Sequence, residues 1–375
     1  MCGIVDKANQ RARTISVAMA TFNGQEHLCE QLCSLSGQTS LPSELVITDD
    51  GSTDRTLEIL RAFKEMAPFD VKLYVNKERL GYTGNFMKAC SLTSGDLIAL
   101  CDQDDVWVKE KLEHLKGHFE EESSEITLVA HSIAAYDEKM HPLGWNVITC
   151  TSEGIMDRWG KPVLPPFDIW GSSMIFRRSE YSCLWDAWLT YCESRGQNYG
   201  LTVNHDTLIA AVGHSLGSVC YCPAAFVQHR FHGKNSSWRP QLGPSGVGMQ
   251  ARRFLDSWVI QKDEYASKVS ALSRDLQMLY WMCNSLPQEK TRYLISIIEK
   301  HEAELHRTSK RCKLYSGDSQ IDRIRQLSIA LSSHVYVDSG RIRWARICKD
   351  AIYCLLPHWA LRLTVRLAKK RIRPA

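Results

Sequence analysis

The sequence predicts an α/β fold: a mostly parallel sheet with helices on both faces, followed by a helical C-terminal extension. Three observations carry this expectation. Short apolar, β-rich runs alternate with amphipathic helical stretches through the first 135 residues, the signature of βαβ units. Two acidic clusters, Asp49-Asp50-Gly51-Ser52-Thr53-Asp54 and Asp102-Gln103-Asp104-Asp105, fall where such runs end. That edge is where open parallel sheets bind ligands. Beyond residue 249 the apolar spacing becomes helical.

In order, ISVAMATFN (15–23) reads as a buried strand, and 25–36 as a helix with Leu28, Leu32 and Leu35 on one face. ELVITDDG (44–51) is a second strand that stops at a Gly-Ser turn, and a helix over 54–66 turns Leu57, Leu60 and Phe63 inward. VKLYVN (71–76) is a third strand and GNFMKAC a helix; DLIALCDQDD (96–105) is a fourth strand ending in acids. KEKLEHLKGHFEE reads as an exposed helix and ITLVAHSIAAYD (126–137) as a fifth strand. From 140 to about 240 the pattern loosens, with a β-like run at WGSSMIFRR (170–178) and a helix starting near NHDTLIAAVG (204–213). KNSSWRPQLGPSGVG (234–248) is the linker candidate. Tyr265, Val269, Leu272, Leu276, Leu279 and Cys283 then make one buried helical stripe. The expected organisation is a tail over 1–13, a catalytic domain over 14–238 and a helical region over 249–375.

Composition narrows the class. A chain of 375 residues holds a full α/β domain plus about 100 residues more. Its 14 cysteines are scattered without paired CxxC spacing, and the polar start MCGIVDKANQRA lacks a signal peptide's apolar region. Free thiols in a reducing cytosol are the expectation. The net charge of +4 is unevenly divided: residues 341–375 hold ten Lys/Arg and one acid, Asp350, while the remainder is net acidic. That argues against a nucleic-acid-binding body and for a local contact with an anionic surface, such as inner-leaflet lipid. The last helix sets Leu361, Val365, Ala368 and Ile372 beside Arg362, Arg366, Lys369 and Arg373. This is the pattern of an interfacial helix, or equally of a solvated basic helix packed on the body. No apolar run approaches the ~20 residues of a membrane span.

The chemistry-bearing residues are acids. Asp102, Asp104 and Asp105 at the mouth of an apolar strand repel one another unless a cation neutralises them, and Mg²⁺ or Mn²⁺ suits hard oxygen ligands. Solvated loop acids would give the same pattern. In the first cluster Asp54 or Thr53 can cap the following helix, which leaves Asp49 and Asp50 free to accept the imide N–H of a uracil or thymine ring. Asp206, in Asn204-His205-Asp206 at a helix start, is either an N-cap or a general base for an acceptor hydroxyl.

The order of these elements is more telling than any one of them. ATFN-x-x-x-x-L, DDGSTD, NKERLGYTGNF, DQDDVWVKEKL and a downstream HD at a helix start resemble the glycosyltransferase family 2 (GT-A, Rossmann-like) pattern over roughly residues 14–235. CDQDDVWVKEKL, the WGSSM segment and the H-G-x-N element His232-Gly233-Lys234-Asn235 look closest to its rhamnosyltransferase-like branch. The resemblance implies that Thr21, Asn23, Asp49 and Asp50 meet the nucleotide, with Arg79, Gly81, Asn85, Asp102 and Gln103 on the base, ribose or diphosphate. It implies metal on Asp104 with His232, and Asp206 as catalytic base. It places Asp105, Trp107, Trp170, Gly171 and His205 near the acceptor or sugar. Where the branch commonly reads Y-R-x-H before the Gly, this chain reads Gln228-His229-Arg230-Phe231-His232, so His229 and His232 compete for one role.

The implied activity is inverting, metal-dependent sugar transfer from a nucleotide diphosphate donor to a saccharide in bacterial surface polysaccharide synthesis. dTDP-L-rhamnose is the favoured donor, and UDP-linked galactofuranose, glucose or an amino sugar the alternative. The expected acceptor is polyprenyl-diphosphate-linked, the expected place the cytoplasmic face of the membrane, and the C-terminal helices offer a homodimer surface. Trp145, Trp159, Trp170, Trp185 and Trp188 are candidate sugar-stacking platforms or core residues. Two rival functions fit less well. Nucleotidyl transfer would want a basic phosphate loop after the first strand, where TFNGQEH has neither Lys nor Arg. A non-catalytic sugar-nucleotide or lipid-binding module would have lost its acids, which are all present.

Overall fold

A computed structural model describes residues 13–121, 126–148, 150, 154–156, 169–195, 203–216, 218–233, 262–316, 320–332 and short stretches between 335 and 354. Residues 1–12, the linker candidate 234–248, Trp159, Asn235 and the helix at 361–375 lie outside the described residues. The described chain divides into two compact units, the first containing residues up to 199, 203–238 and 278–296. The helical region expected to begin at 249 is thus shared: its segment 278–296 belongs with the sheet.

The first unit runs β1 (Ile15–Thr21), α1 (Leu28–Ser36), β2 (Glu44–Asp49), α2 (Thr56–Met66), β3 (Asp70–Val75), α3 (Gly81–Ser91), β4 (Leu97–Cys101), β5 (Val106–Trp107) and α4 (Lys111–Glu121). It continues with β6 (Ile126–Tyr136), β7 (Pro142–Ile148), β8 (Gly154–Met156), a 3-10 turn at Gly171–Ser173, β9 (Met174–Arg177), α5 (Arg178–Arg195), α6 (His205–Leu216) and β10 (Ser218–Arg230). The strand order is β3-β2-β1-β4-β9-β6-β10-β5, with β7 beside β6 and β8 beside β10. The β3-β2-β1-β4 half is parallel. Beyond it the sheet is mixed, because β9 inserts between β4 and β6 antiparallel to both.

Burial explains the apolar runs. Every residue of β1, β2 and β4 is buried, as expected for parallel strands covered on both faces. Edge strand β3 is half exposed. Leu28, Leu32 and Leu35 of α1 join β1, β2 and β4 in one core. Helix α4 corrects an expectation. It reads as exposed because its apolar residues are few, yet Leu112, Leu115 and Phe119 are buried in the same core. They recur at helical spacing, and the charged residues between them cover the solvent side. Strand β10 pairs with β6 in parallel and shifts register between Cys222 and Ala225. Pro223 sits in that bulge, where no ladder hydrogen bond is lost. The bulge lets the far end of β10 pair with β5, Val227 against Trp107 and Gln228 against Val106. This ladder carries the Asp102–Asp105 loop up to His229 and Arg230.

The second unit is mainly helical, built from the first part of α7 (Lys262–Ser285), most of α8 (Arg292–Ser316) and α9 (Gln320–Ser332), with a two-stranded antiparallel pair, β11 (Val337–Asp338) and β12 (Arg341–Ile342), at the start of the tail expected to be helical. Tyr265, Leu314 and Cys354 form a small cluster there, and Arg311 grips Asp350 at 2.8 and 2.9 Å. No described helix is long and apolar enough to cross a membrane. Among the described residues no cysteine is joined in a disulfide.

One buried charge ties the parallel strands together. Glu44 accepts from Ser16 Oγ at 2.5 Å, Ser94 N at 2.5 Å and Lys72 Nζ at 2.5 Å. Burial would raise its carboxyl, but the bonds from Lys72, Ser16 and Ser94 outweigh it and hold the group at about 2. A depressed carboxyl stabilises the fold above its unfolded value and loses that contribution as pH falls toward 2. Glu44→Gln should cost about 2–3 kcal/mol at pH 7, and urea titrations should show the deficit shrinking between roughly pH 4.5 and 2.5.

Candidate active site

The site forms where β1, β2 and β4 end. Asp49 closes the turn after β2: Oδ2 accepts from Thr21 Oγ1 at 2.7 Å and Ser52 Oγ at 2.6 Å, and Oδ1 from Gly51 N and Ser52 N at 3.1 and 2.8 Å. Asp50 Oδ1 accepts from Asn76 Nδ2 at 3.0 Å and Leu80 N at 2.7 Å, and Oδ2 from Gly81 N at 2.8 Å. Its charge therefore sits at the N-terminus of α3, where the helix dipole favours it. Gly81, at φ +74°, takes a conformation that suits glycine. Asn85 donates to Thr21 O at 3.2 Å and accepts from Asn76 Nδ2 at 2.9 Å. Gln103 grips the Phe22 backbone, accepting from its N–H at 3.0 Å and donating to its carbonyl at 3.2 Å. Asp54, rather than Thr53, meets the start of α2, accepting from Thr56 N at 3.0 Å.

These bonds show that part of the expected nucleotide set also builds the loop. Thr21, Asp49 and Asn85 are buried, and their polar groups, with the Gly81 amide and the Gln103 side chain, build the loop itself. A fold must satisfy buried polar atoms before it offers any to a ligand. Asn23 and Arg79 remain exposed, and the Arg79 guanidinium stacks 3.9 Å from the Phe22 ring centroid. Asp50 is buried as well, but its Oδ2, which accepts from the Gly81 amide, has lone-pair capacity for a second donor.

The second cluster is divided among different partners. Asp105 is fully buried and its Oδ1 accepts from His229 Nδ1 at 2.8 Å and Arg230 N at 3.3 Å. Burial opposes charge on His229, but Asp105, with Asp104 and Asp102 behind it, raises the imidazole to about 9. Asp105 is thus an internal counter-charge and not an acceptor contact. Asp104 Oδ2 lies 3.0 Å from His232 Nε2. His232 is the histidine beside the outward-facing acid, and His229 belongs to the interior. Arg230 donates to the Asp104 carbonyl at 3.1 Å and the Glu138 carbonyl at 3.0 Å, and pairs with Glu30. Asp102 accepts from Tyr82 OH at 3.2 Å. Burial first, then the charges of Asp105 and Asp104, push its carboxyl well above the usual range.

Asp206 opens α6. It accepts from Thr207 N at 2.7 Å and from the Gly171 amide, yet burial raises its carboxyl to about 6. The Tyr82 phenol feels the charge of Asp206 as well as that of the acids after β4. Burial, then Asp102, Asp206 and Asp104, all oppose ionisation of that phenol. Of the three carboxylates, Asp102 is the one bonded to that hydroxyl, and Tyr82 itself is 43% exposed. His205 is fully buried and stacks on Phe86 at 4.2 Å, with Tyr82 against its edge. Burial lowers it to about 3. It is a neutral support beneath the site, not the acceptor contact expected. A Cβ on Gly171 would stand 2.9 Å from His205 Nε2, so only glycine fits there unless the ring shifts.

Trp107 is likewise corrected to core. It is 3% exposed, with Lys111 Nζ 3.5 Å from its ring centroid. Lys111 is itself buried, and burial lowers it to about 7. It donates to the Ser172 carbonyl at 2.7 Å, bracing the turn whose Gly171 amide meets Asp206. The tryptophan and lysine of the DQDDxW…K block thus support the turn beside Asp206 from behind. Trp170 is half-buried, its ring edge-on to His229 at 5.2 Å. Trp185 and Trp188 are core, and Trp145 packs on Phe231. The roles of Tyr82 and Lys111 were missed from sequence, although GYTGNF and VKEKL contain them. Nothing in spacing alone says that a tyrosine on α3 reaches the end of β4.

Residues 16–181 match the family model described as glycosyl transferase family 2. Among curated relatives, an uncharacterized glycosyltransferase of Nostoc sp. is 31% identical over 123 residues, 33% of this chain and 37% of that protein. The dTDP-rhamnosyl transferase RfbG of Shigella flexneri is 36% identical over 100 residues, 26% of this chain and 35% of that one. The chain therefore spans little more than a third of the length of these relatives. Among solved structures, S. aureus TarS residues 1–349 share 14% identity at a TM-score of 0.50, covering 96% of this chain and 93% of that one. This likeness bears on the fold alone. Residues 16–181, which hold both acidic loops but neither Asp206 nor His232, thus match family 2 glycosyltransferases, and the fold is of the GT-A type.

Proposed function

We propose that the chain is an inverting, divalent-metal-dependent glycosyltransferase of bacterial surface polysaccharide synthesis, with dTDP-L-rhamnose the favoured donor. The observation that carries this reading is the close pair of Asp104 and His232 after β4, with Asp102 held by Tyr82 in the same loop, and the raised carboxyl of Asp206 at the start of α6. Two of these acids can serve a donor diphosphate, and the third, on a different element, can serve an acceptor.

Asn23, Asp50 and Arg79 are the residues left to meet the base and ribose, with the Phe22–Arg79 stack as a flat shelf beside them. Asp102 would lie at the ribose or diphosphate. The metal reading passes a chemical test. Asp104 Oδ2 and His232 Nε2, 3.0 Å apart, offer one oxygen and one nitrogen donor. Asp102 adds a carboxylate whose ionisation its acidic neighbours oppose, a repulsion that a cation would relieve. This set suits Mg²⁺ or, with the imidazole, Mn²⁺. When bound, such an ion neutralises diphosphate charge and improves the leaving group.

Asp206 performs the proton transfer. A base with a value near 6 is deprotonated at neutral pH yet basic enough to take a hydroxyl proton as attack proceeds. The Gly171 and Thr207 amides hold it in place, and Lys111 braces the Gly171 turn. Attack from the face opposite the leaving diphosphate inverts the anomeric carbon in one displacement. A second reading keeps the same machinery and changes the donor to a UDP-sugar, in line with the E. coli WfgD relative, a UDP-Glc-dependent glucosyltransferase 31% identical over 99 residues. Thermal shifts with dTDP- and UDP-sugars separate the two. The acceptor is a saccharide on a polyprenyl diphosphate, reached at the inner leaflet through the basic segment 341–375.

Asp206→Asn should lower kcat by about 10³-fold or more while donor affinity, by calorimetry, stays within a few-fold. Wild-type kcat should rise with pH and level off above roughly 6, because the base must be ionised; a profile flat from about pH 5 to 8 would exclude this role. Asp104→Ala should weaken metal-dependent donor binding at least about tenfold, and activity that survives excess EDTA would rule out the metal. Removing 341–375 should shift the protein from sedimenting with anionic vesicles to the supernatant; continued sedimentation would mean that the tail is not the anchor.

A further inference from the structure

A second cluster of metal-binding side chains lies far from the acids. Helix α4 presents His114 and His118, four residues apart and so on one face. Strand β10 presents Cys220 and Cys222, two residues apart and again on one face. The two faces meet. Cys222 Sγ lies 3.6 Å from His114 Nε2, and Cys220 Sγ lies 3.5 Å from His118 Nδ1. Ligand atoms of His114, His118 and Cys222 all fall within 4.8 Å of one another.

The two sulfur–nitrogen separations match a coordination shell. Nitrogen at ~2.0–2.1 Å and sulfur at ~2.3 Å on a tetrahedral ion stand roughly 3.5–3.6 Å apart. Imidazole and thiolate also favour zinc over the hard ions expected at Asp104. Both thiols are buried, at 3% and 2% exposure, while His114 is exposed and His118 half-buried. The cluster is dry on the sheet side and open on the helix side, so an ion can enter from solvent. Thiol–imidazole hydrogen bonds alone would give similar distances, but they do not require a third donor to converge on the same point.

We propose that His114, His118 and Cys222 form a structural site for Zn²⁺ that clamps α4 to β10; Cys220, which meets His118 but lies outside the converging group, is a further candidate donor. Eight residues of β10 separate Cys222 from Arg230, a distance of more than ~20 Å along a strand. The site is therefore separate from the acidic centre, and it does not depend on the glycosyltransferase reading. It acts through α4: the helix that the ion holds begins at Lys111, which supports the Gly171 turn.

The test uses the full chain, stripped with chelator and titrated with Co²⁺. One equivalent should bind with tetrahedral visible bands and a thiolate-to-metal charge-transfer absorption. Cys222→Ser and His114→Gln should each weaken this binding at least about tenfold, and Cys220→Ser should lower the charge-transfer intensity by about half. His114→Gln lies at an exposed position and keeps the test intact if the serine variants fail to fold. Asp104→Ala should leave the absorption unchanged. Zn²⁺ should raise the Tm of the wild-type chain and not that of His114→Gln. Absence of thiolate absorption, its persistence in His114→Gln, or its loss in Asp104→Ala would overturn the site; an unchanged intensity in Cys220→Ser would remove Cys220 from it.

Discussion

The site depends on how three carboxylates within four residues, Asp102, Asp104 and Asp105, coexist at the mouth of β4. Left together in a dry sheet edge they would protonate or repel. The fold separates them by partner. Asp105 turns inward to a buried His229 that its charge keeps protonated. Asp104 turns outward beside His232, and Asp102 meets the Tyr82 hydroxyl. A buried pair such as Asp105–His229 adds little net stability against an apolar replacement, while breaking it is costly. Its contribution is positional. It joins the loop after β4 to the end of β10, and the β5–β10 ladder holds that join in register.

The same logic of support from behind governs Asp206. A carboxylate with two amide donors would ordinarily be more acidic than usual, yet burial outweighs them here. That balance leaves a group that is ionised at neutral pH without being too weak a base. The donors have to be rigid for this to hold. The Gly171 turn is pinned by Lys111 through the Ser172 carbonyl and by close packing of Gly171 on His205. Burying Lys111 against Trp107 is the cost of that rigidity, since burial lowers its ammonium to about 7. Helix α4 thus connects the proposed zinc clamp to the turn that holds Asp206.

The DDGSTD loop shows how one motif can serve both ligand and fold. Its residues look like nucleotide contacts because they are polar and sit at a strand end. Most of their hydrogen-bonding capacity is used internally: Asp49 on the turn, Asp50 largely on the start of α3, Asn85 on the Thr21 carbonyl. What remains for a ligand is a smaller set at the rim. The order of the loop also fixes where Asn23 and the Phe22–Arg79 stack stand.

Much of the fold was legible because its signals are local. Apolar runs the length of a strand, helical stripes such as Leu28-Leu32-Leu35, and acids at strand ends are properties of neighbouring residues, and β1 through β4 follow them closely. The motif order pointed to family 2, and Asp104, Asp206 and the choice between two histidines were already in view. The tertiary structure decided everything that depends on which distant groups meet. It inserted β9 between β4 and β6, buried the sparse apolar face of α4, and gave Asp105 to His229 and Asp104 to His232. It tied Thr21, Asp49, Gly81, Asn85 and Gln103 into hydrogen bonds within the fold, packed Trp107 and His205 in the interior, and brought in Tyr82 and Lys111. The physical reason is the same in each case. Residue type and spacing determine what a side chain can do, but burial and competing hydrogen-bond partners determine whether that capacity is still available.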